Sequence, residues 1–344
     1  MRHSRSHSPH RRVALMVAAL SVAALTLAAC SGPATSEEPT GDEPLEIAYL
    51  SFAVANSYDT PMLAAAEAVA AENNAKITVF DANNDPQAQY TQLQNVITSG
   101  QYDGIITQPI FGTGLVDLVA QAIAAGIKVV NVNQILGADL TTNEPQVEGL
   151  SANVSFIPTE IGHKLGEQVV DACATKKLDP CDVGYLYDIK ASALDVAIHD
   201  GFTAATKGTP VNVVAEGESF FTATVALGAV QDILQANPDI DLIVGSDQGI
   251  QGAVQALDAA GKAGQVLLVG FGASEVGIAA VAAGDWHSTV AMAPASEGRH
   301  AMEALIKALR EGVDSGAIDP TGDLPNNGIV TKSTAAEFTA EWPG

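Results

Sequence analysis

From residue 46 onward, apolar positions fall into two patterns that alternate along the chain. Short runs rich in β-branched residues predict strands: "EIAYLS" (46–51), "KITVFD" (76–81), "DGIITQ" (103–108) and "IKVVNVN" (127–133). Between them lie Ala-rich stretches with apolar residues at helical spacing: "TPMLAAAEAVAAEN" (60–73), "DPQAQYTQLQNVITSG" (85–100) and 113–125. A second set follows, with helices at 158–172, 193–206, 222–236, 248–260, 274–283 and 295–311. Its strands are 182–188, 211–217, 241–246, 265–271 and 287–292.

Strict strand–helix alternation with strands apolar on both sides implies parallel sheets covered by helices on both faces. One sheet of about ten strands and two doubly wound lobes both fit the pattern, and a chain of 344 residues suits two lobes. Ligands of such sheets sit beyond the carboxyl ends of the strands. "KVVNVNQ" (128–134) is one such end, and it carries three neutral amides, Asn131, Asn133 and Gln134.

The N-terminus has a different pattern. "MRHSRSHSPHRR" is a basic segment, and "VALMVAALSVAALTLAA" (13–29) is an apolar stretch at the short end of what spans a bilayer. Together they predict a signal peptide over 1–29. Leu27-Ala28-Ala29-Cys30 resembles a bacterial lipobox, which implies cleavage before Cys30 and a lipid on its sulfur. Residues 30–45, rich in Ser, Pro, Gly and acid, read as a lipidated flexible tether. The expected location is the outer face of the cell membrane.

The formal charge of −24 excludes nucleic acid as a main partner. Cys173 and Cys181 close a short polar loop, "CATKKLDPC", and in an exported chain that spacing predicts a structural disulfide. Evidence for catalysis is thin. His163, His199, His287 and His300 form no H-E-x-x-H pair, and no cluster has metal spacing, so neither an enzyme nor a metal site is expected. Gly270-Phe271-Gly272 follows a strand as a dinucleotide loop does, but Glu275 stands where the third glycine belongs and opposes a pyrophosphate. No cofactor is expected.

Three stretches are recognisable. "DANNDPQAQYTQLQNVITSGQYDGIITQP" (81–109), "AAGIKVVNVNQ" (124–134) and "LLVGFGASEVGIAAVAAGDWHSTVAMAPASEGRHAMEALIKAL" (267–309) resemble type I periplasmic binding proteins of the ribose-binding-like group. The resemblance covers about 46–330. It implies two α/β lobes joined by three crossovers, at 46–153 plus 293–327 and 154–292 plus 328–344. It further implies a monomer that closes on a sugar-like solute by hinge motion and delivers it to an ABC permease. A sensory receptor docking to a membrane kinase is the alternative.

The resemblance also implies ligand positions: Phe52, Asn56 and Tyr58 after the first strand, Asn133 and Gln134 after the fourth, then Asp195, Phe221, Ser246, Asp247 and Met292. Plainer roles exist for several of these. Asn133 and Gln134 can cap a turn, Asp247 can cap helix 248–260, and Phe221 and Met292 can be packing. Trp286 and Trp342 read as structural.

Where sugar binders of the group hold Asp-Arg, Arg, Asp and Gln, this chain has Asn133-Gln134, Val196, Gly272 and Met292. Hydrogen bonds to charged groups contribute roughly 1.5–3 kcal/mol, against about 0.5–1.5 for neutral ones. A plain aldose should therefore bind weakly. A deoxy sugar, a polyol or a glycoside with an apolar group suits the pocket better.

Overall fold

A computed structural model describes residues 43–344. The leader, Cys30 and nearly all of the tether lie outside the described residues. The first elements are β1 (Leu45–Ser51), α1 (Asp59–Glu72), β2 (Ala75–Asp81), α2 (Pro86–Ser99), β3 (Gly104–Thr107), α3 (Gly112–Ala124), β4 (Lys128–Val132) and β5 (Ala152–Val154). Then come α4 (Pro158–Lys176), β6 (Cys181–Tyr187), α5 (Ala193–Thr206), β7 (Val211–Glu218), α6 (Ala223–Ala236), β8 (Leu242–Ser246), α7 (Asp247–Ala259), β9 (Leu267–Gly272), α8 (Glu275–Ala283) and β10 (Ser288–Ala291). Helix α9 (Pro294–Glu311), β11 (Gly316–Ile318) and β12 (Ile329–Thr331) complete the order.

The strands make two six-stranded sheets, ordered β11-β5-β4-β3-β1-β2 and β12-β10-β9-β8-β6-β7. Pairing is parallel except for β12 against β10. The fold is thus two doubly wound α/β lobes, as the alternation implied. The chain passes between the sheets after β5, after β10 and between β11 and β12.

Alternation along each strand feeds two cores per lobe. In β1, Ile47 and Tyr49 pack with α1 and α9, while Ala48 and Leu50 pack with α2 and α3. In the second lobe, Val183 and Tyr185 face α4 and α5, and Leu186 and Ile243 face α6 and α7. Helix α2 begins and ends as its residues dictate: Asp85 accepts from the N–H groups of Gln87 and Ala88, Pro86 opens the helix, and Gly100 closes it at φ 62°.

Strands β5, β11 and β12 are additional to those the sequence pattern predicts. Each is three residues long, too short to show a period. The Cys173–Cys181 disulfide is present, tying the last turn of α4 to the first residue of β6 with a Cα–Cα distance of 5.9 Å.

One helix contact depends on a missing side chain, and a second glycine serves as its contrast. A Cβ on Gly298 would stand 1.9 Å from the Met62 carbonyl oxygen, where α9 meets α1. A Cβ on Gly228, inside α6, would meet nothing within 4 Å. Gly298→Ala is therefore expected to destabilise by about 1–3 kcal/mol through overpacking. Gly228→Ala should stabilise by about 0.5–1 kcal/mol through helix propensity. Denaturant midpoints of both variants check the pair, and equal shifts would rule out the close-approach reading.

Candidate functional site

In the first sheet the strand order reverses between β1 and β3, and in the second between β6 and β8. The loops beyond these carboxyl ends meet around a cavity with an empty volume of about 590 Å³, including the part open to solvent. That falls in the range of about 300–1,000 Å³ usual for small-molecule pockets.

The aromatic walls come from both lobes. Phe52 and Tyr58 follow β1, Phe156 precedes α4, Phe221 follows β7, Phe271 is the penultimate residue of β9 and Trp342 lies in the C-terminal tail. Six of the 17 lining residues are aromatic in a chain that is 5% aromatic, so stacking on a ring or C–H face is a built feature. Phe52 and Phe221 meet edge to face across the cleft at 6.5 Å. Phe220 and Phe221 both hold left-handed backbone, at φ 49° and 54°. That conformation is costly for such side chains and recurs at ligand clamps. Here the Ser219 hydroxyl fixes it by accepting the Phe221 N–H and donating to Asp188.

The polar lining is almost wholly neutral: Asn56, Gln108, Asn133, Gln134, Ser246 and Gln248, with Asp59 the one carboxylate and no Lys, Arg or His. Some of these groups are already engaged. Asn56 Oδ1 accepts the Tyr58 N–H, leaving its NH₂ for a ligand. Gln108 accepts the Phe52 N–H and donates to Asp59 Oδ1 at 2.6 Å. Asn133, held at φ 66°, donates from Nδ2 to Glu297 at 2.8 Å. The side chains of Gln134 and Gln248 line the cavity with no hydrogen-bond partner among the described residues, and Gln248 is only 7% exposed. An amide that faces the cavity without a protein partner has its donors and acceptor free for a ligand.

Behind the cavity sits a set of buried acids. Glu297 accepts from Tyr58 Oη at 2.7 Å and from Asn133, and burial pushes its carboxyl up to about 8. Burial likewise raises Asp59 to about 7, against the hydrogen bond from Gln108. Asn131, at the tip of β4, donates to Asn153 Oδ1 and to the Gln134 carbonyl, both at 2.6 Å. It braces the tip rather than facing a ligand.

Phe52, Asn56, Tyr58, Asn133, Gln134, Phe221, Ser246 and Met292 all line the cavity. Asp195 and Asp247 do not. Asp195 accepts the N–H groups of Asp188 and Ile189 and the Ser192 hydroxyl, which closes the loop after β6. Asp247, at the start of α7, accepts from Ser274 and Thr289 and ties β8 to β9 and β10. The cap of α7 is instead Ser246, which accepts the Gly249 N–H. Val196 is 47% exposed on the outer side of α5, and Leu194 and Ile198 face the cavity in its place.

Trp342, expected to be structural, has a second role. Its indole also walls the cavity, lies edge-on to Tyr58 at 5.4 Å and donates from Nε1 to the Gly272 carbonyl at 2.8 Å. A Cβ on Gly272 would stand 2.5 Å from Trp342 Cζ2. The indole thus fills the space that a side chain at 272 would need. Sequence offered no signal for it, since the two positions are 70 apart.

Residues 47–312 match the periplasmic binding protein domain family. The chain belongs to that family. It falls in the type I, sugar-binding group that the three sequence stretches resembled. It is 28% identical over 255 residues to the D-allose-binding periplasmic protein of Escherichia coli, covering 72% of this chain and 78% of that one. It is 25% identical to the ribose import binding protein RbsB of Bacillus subtilis, covering 69% and 73%. An ABC transporter solute-binding protein from Mycobacterium smegmatis, solved with bound glycerol, superposes with a TM-score of 0.73 at 26% identity, covering 88% of this chain and 99% of that one. A Bacillus halodurans solute-binding protein with bound myo-inositol shares the fold at 21% identity, with a TM-score of 0.75 and coverage of 88% and 100%. These relatives are binding proteins of transport systems rather than enzymes. Among the described residues no cluster is placed to hold a metal, and no helix is long and apolar enough to cross a membrane.

Proposed function

We propose that the chain is the solute receptor of an ABC importer, tethered outside the membrane through a lipid on Cys30. It takes a neutral, sugar-like molecule with few hydroxyls: a polyol, a deoxy sugar or a glycoside. The observation that carries this reading is the pairing of aromatic walls with unpartnered amides, Gln134 and Gln248, in a cavity without a cationic side chain. Neutral amides serve scattered hydroxyls, and the rings cover C–H faces between them. A phosphorylated or carboxylated solute would find no counter-charge. Allose and ribose binding by named relatives supports the sugar-like class.

The test is a thermal-shift screen of the chain lacking residues 1–29. At 100 times its dissociation constant a ligand adds about 2.7 kcal/mol, which is readily seen. Polyols and deoxy sugars should give the largest shifts, and Gln248→Ala should weaken the best hit by about 2- to 12-fold, the worth of one neutral hydrogen bond. Submicromolar binding of ribose, glucose or galactose, with no response to polyols or deoxy sugars, would defeat the proposal.

A further inference from the structure

Adjoining the cavity at the Phe52–Phe221 pair is a second chamber of about 670 Å³, here termed the outer one, again including the part open to solvent. The two chambers share Phe52, Gln134, Leu194 and Phe221, so they adjoin at that aromatic pair. The outer walls again come from both lobes: Ile110 and Phe111 after β3, Ile135 and Leu140 after β4, Pro158 at the head of α4 and Ile189 after β6. No charged side chain lines this chamber, in a chain with 40 acidic and 16 basic residues. Phe111, which borders this chamber, is 48% exposed, so much of its ring is left open by the described residues. A large apolar side chain left open among apolar neighbours marks a surface kept for contact.

The wall is also preformed. A Cβ on Gly112 would stand 1.9 Å from the Ile135 carbonyl oxygen, so the loops after β3 and β4 already touch backbone to backbone. They cannot collapse further to bury Phe111 themselves.

We infer that the outer chamber is a subsite for an apolar substituent on the solute. The solute is then two-part: a hydroxyl-bearing ring or chain in the inner chamber, joined to an alkyl or aryl group held by Phe111, Ile135 and Leu140. A second sugar ring fits less well, because beyond the shared Gln134 the outer walls offer only the hydroxyls of Thr113 and Ser192. The inference rests on the sugar-like reading of the inner chamber and narrows it to the conjugated members of that class.

The experiment titrates protein from the full chain with free sugars and polyols, and in parallel with their butyl and phenyl glycosides or ethers. At least one derivative should bind about tenfold or more tighter than its parent, the gain expected from burying a few apolar carbons. Phe111→Ala and Leu140→Ser should each remove most of that gain while parent affinity stays within about twofold; neither position is fully buried, so the fold survives. Parents that bind while every derivative binds no better would overturn the inference and leave the sugar-like reading standing. A gain that survives both substitutions would overturn the assignment to this chamber. If neither parents nor derivatives bind, both readings fall.

Discussion

Trp342→Ala is expected to lose about 3–5 kcal/mol of stability, the range for deleting a buried aromatic side chain, and to abolish the thermal response to ligand. The indole is 4% exposed, rests against Tyr58 and holds the Gly272 carbonyl. Its removal opens the cavity floor and strands a buried acceptor. The neighbouring backbone is tied to the same tail: Glu275 donates its N–H to the Trp342 carbonyl, and Ser296 donates to Glu341 from both N–H and hydroxyl. Glu341 and Trp342 therefore fasten α8 of one lobe to the first turn of α9 in the other. Trp342→Phe should recover much of the packing but not the hydrogen bond, at a remaining cost of about 1–3 kcal/mol.

A double-substitution cycle separates packing from recognition. Gly272→Asp alone should be strongly destabilising, since its side chain collides with the indole. Combined with Trp342→Ala it should cost less than the sum of the two, with a coupling of about 0.5–3 kcal/mol. The double variant should bind plain aldoses more tightly than Trp342→Ala alone does, because their hydroxyls would meet a carboxylate at 272. Simple additivity in urea denaturation would show that the two positions do not share that space.

Stability should fall as pH rises from about 5 to 8, opposite to the acid sensitivity of proteins held by ion pairs. Glu297 is raised to about 8 and Asp59 to about 7, both chiefly by burial. Asp188 rises to about 7 through burial, with Asp195 adding repulsion. A carboxyl whose folded value lies above its unfolded one binds more protons in the native state. Its contribution is complete below about pH 4 and is lost as pH climbs through the folded value. Each unit of that interval corresponds to about 1.4 kcal/mol, so Glu297 alone accounts for on the order of 3–4 kcal/mol between pH 5 and 8.

Carboxyls held low act in the other direction, but only at the acid end; Asp314 is one, lowered against its burial by the Ser151 hydrogen bond and then by Lys128. Glu297→Gln should flatten the limb between pH 6 and 8. A melting temperature that rises over this range, or an unchanged slope in Glu297→Gln, would contradict the assignment. Protonation also bears on recognition. The carboxylate holds Asn133 Nδ2 and leaves Oδ1 to the cavity, whereas a neutral Glu297 can donate to Oδ1 once the amide turns over.

Most of the secondary structure was legible in the sequence, because buried parallel strands and amphipathic helices write their burial into the order of residues. Every element of ordinary length was located, and the three missed strands were too short to show a pattern. The lining positions Phe52, Asn56, Tyr58, Asn133, Gln134, Phe221, Ser246 and Met292 were nameable because strand tips in this fold point at one place. Asp195 and Asp247 misled, since an acid at a strand tip reads the same whether it meets a ligand or a neighbouring backbone. Which it meets depends on donors from other segments, Ser274 and Thr289 for Asp247.

By itself, the sequence determined the alternation, the two-lobed family and a cleft poor in charge. Only the tertiary structure decided what the pocket is. It brought Trp342 onto Gly272, stood Glu297 behind Asn133 and left Gln248 without a partner inside the cleft. Periodicity reports which side of an element is buried. Contacts between residues far apart in the chain depend on how whole elements pack, and that information is held in no local stretch.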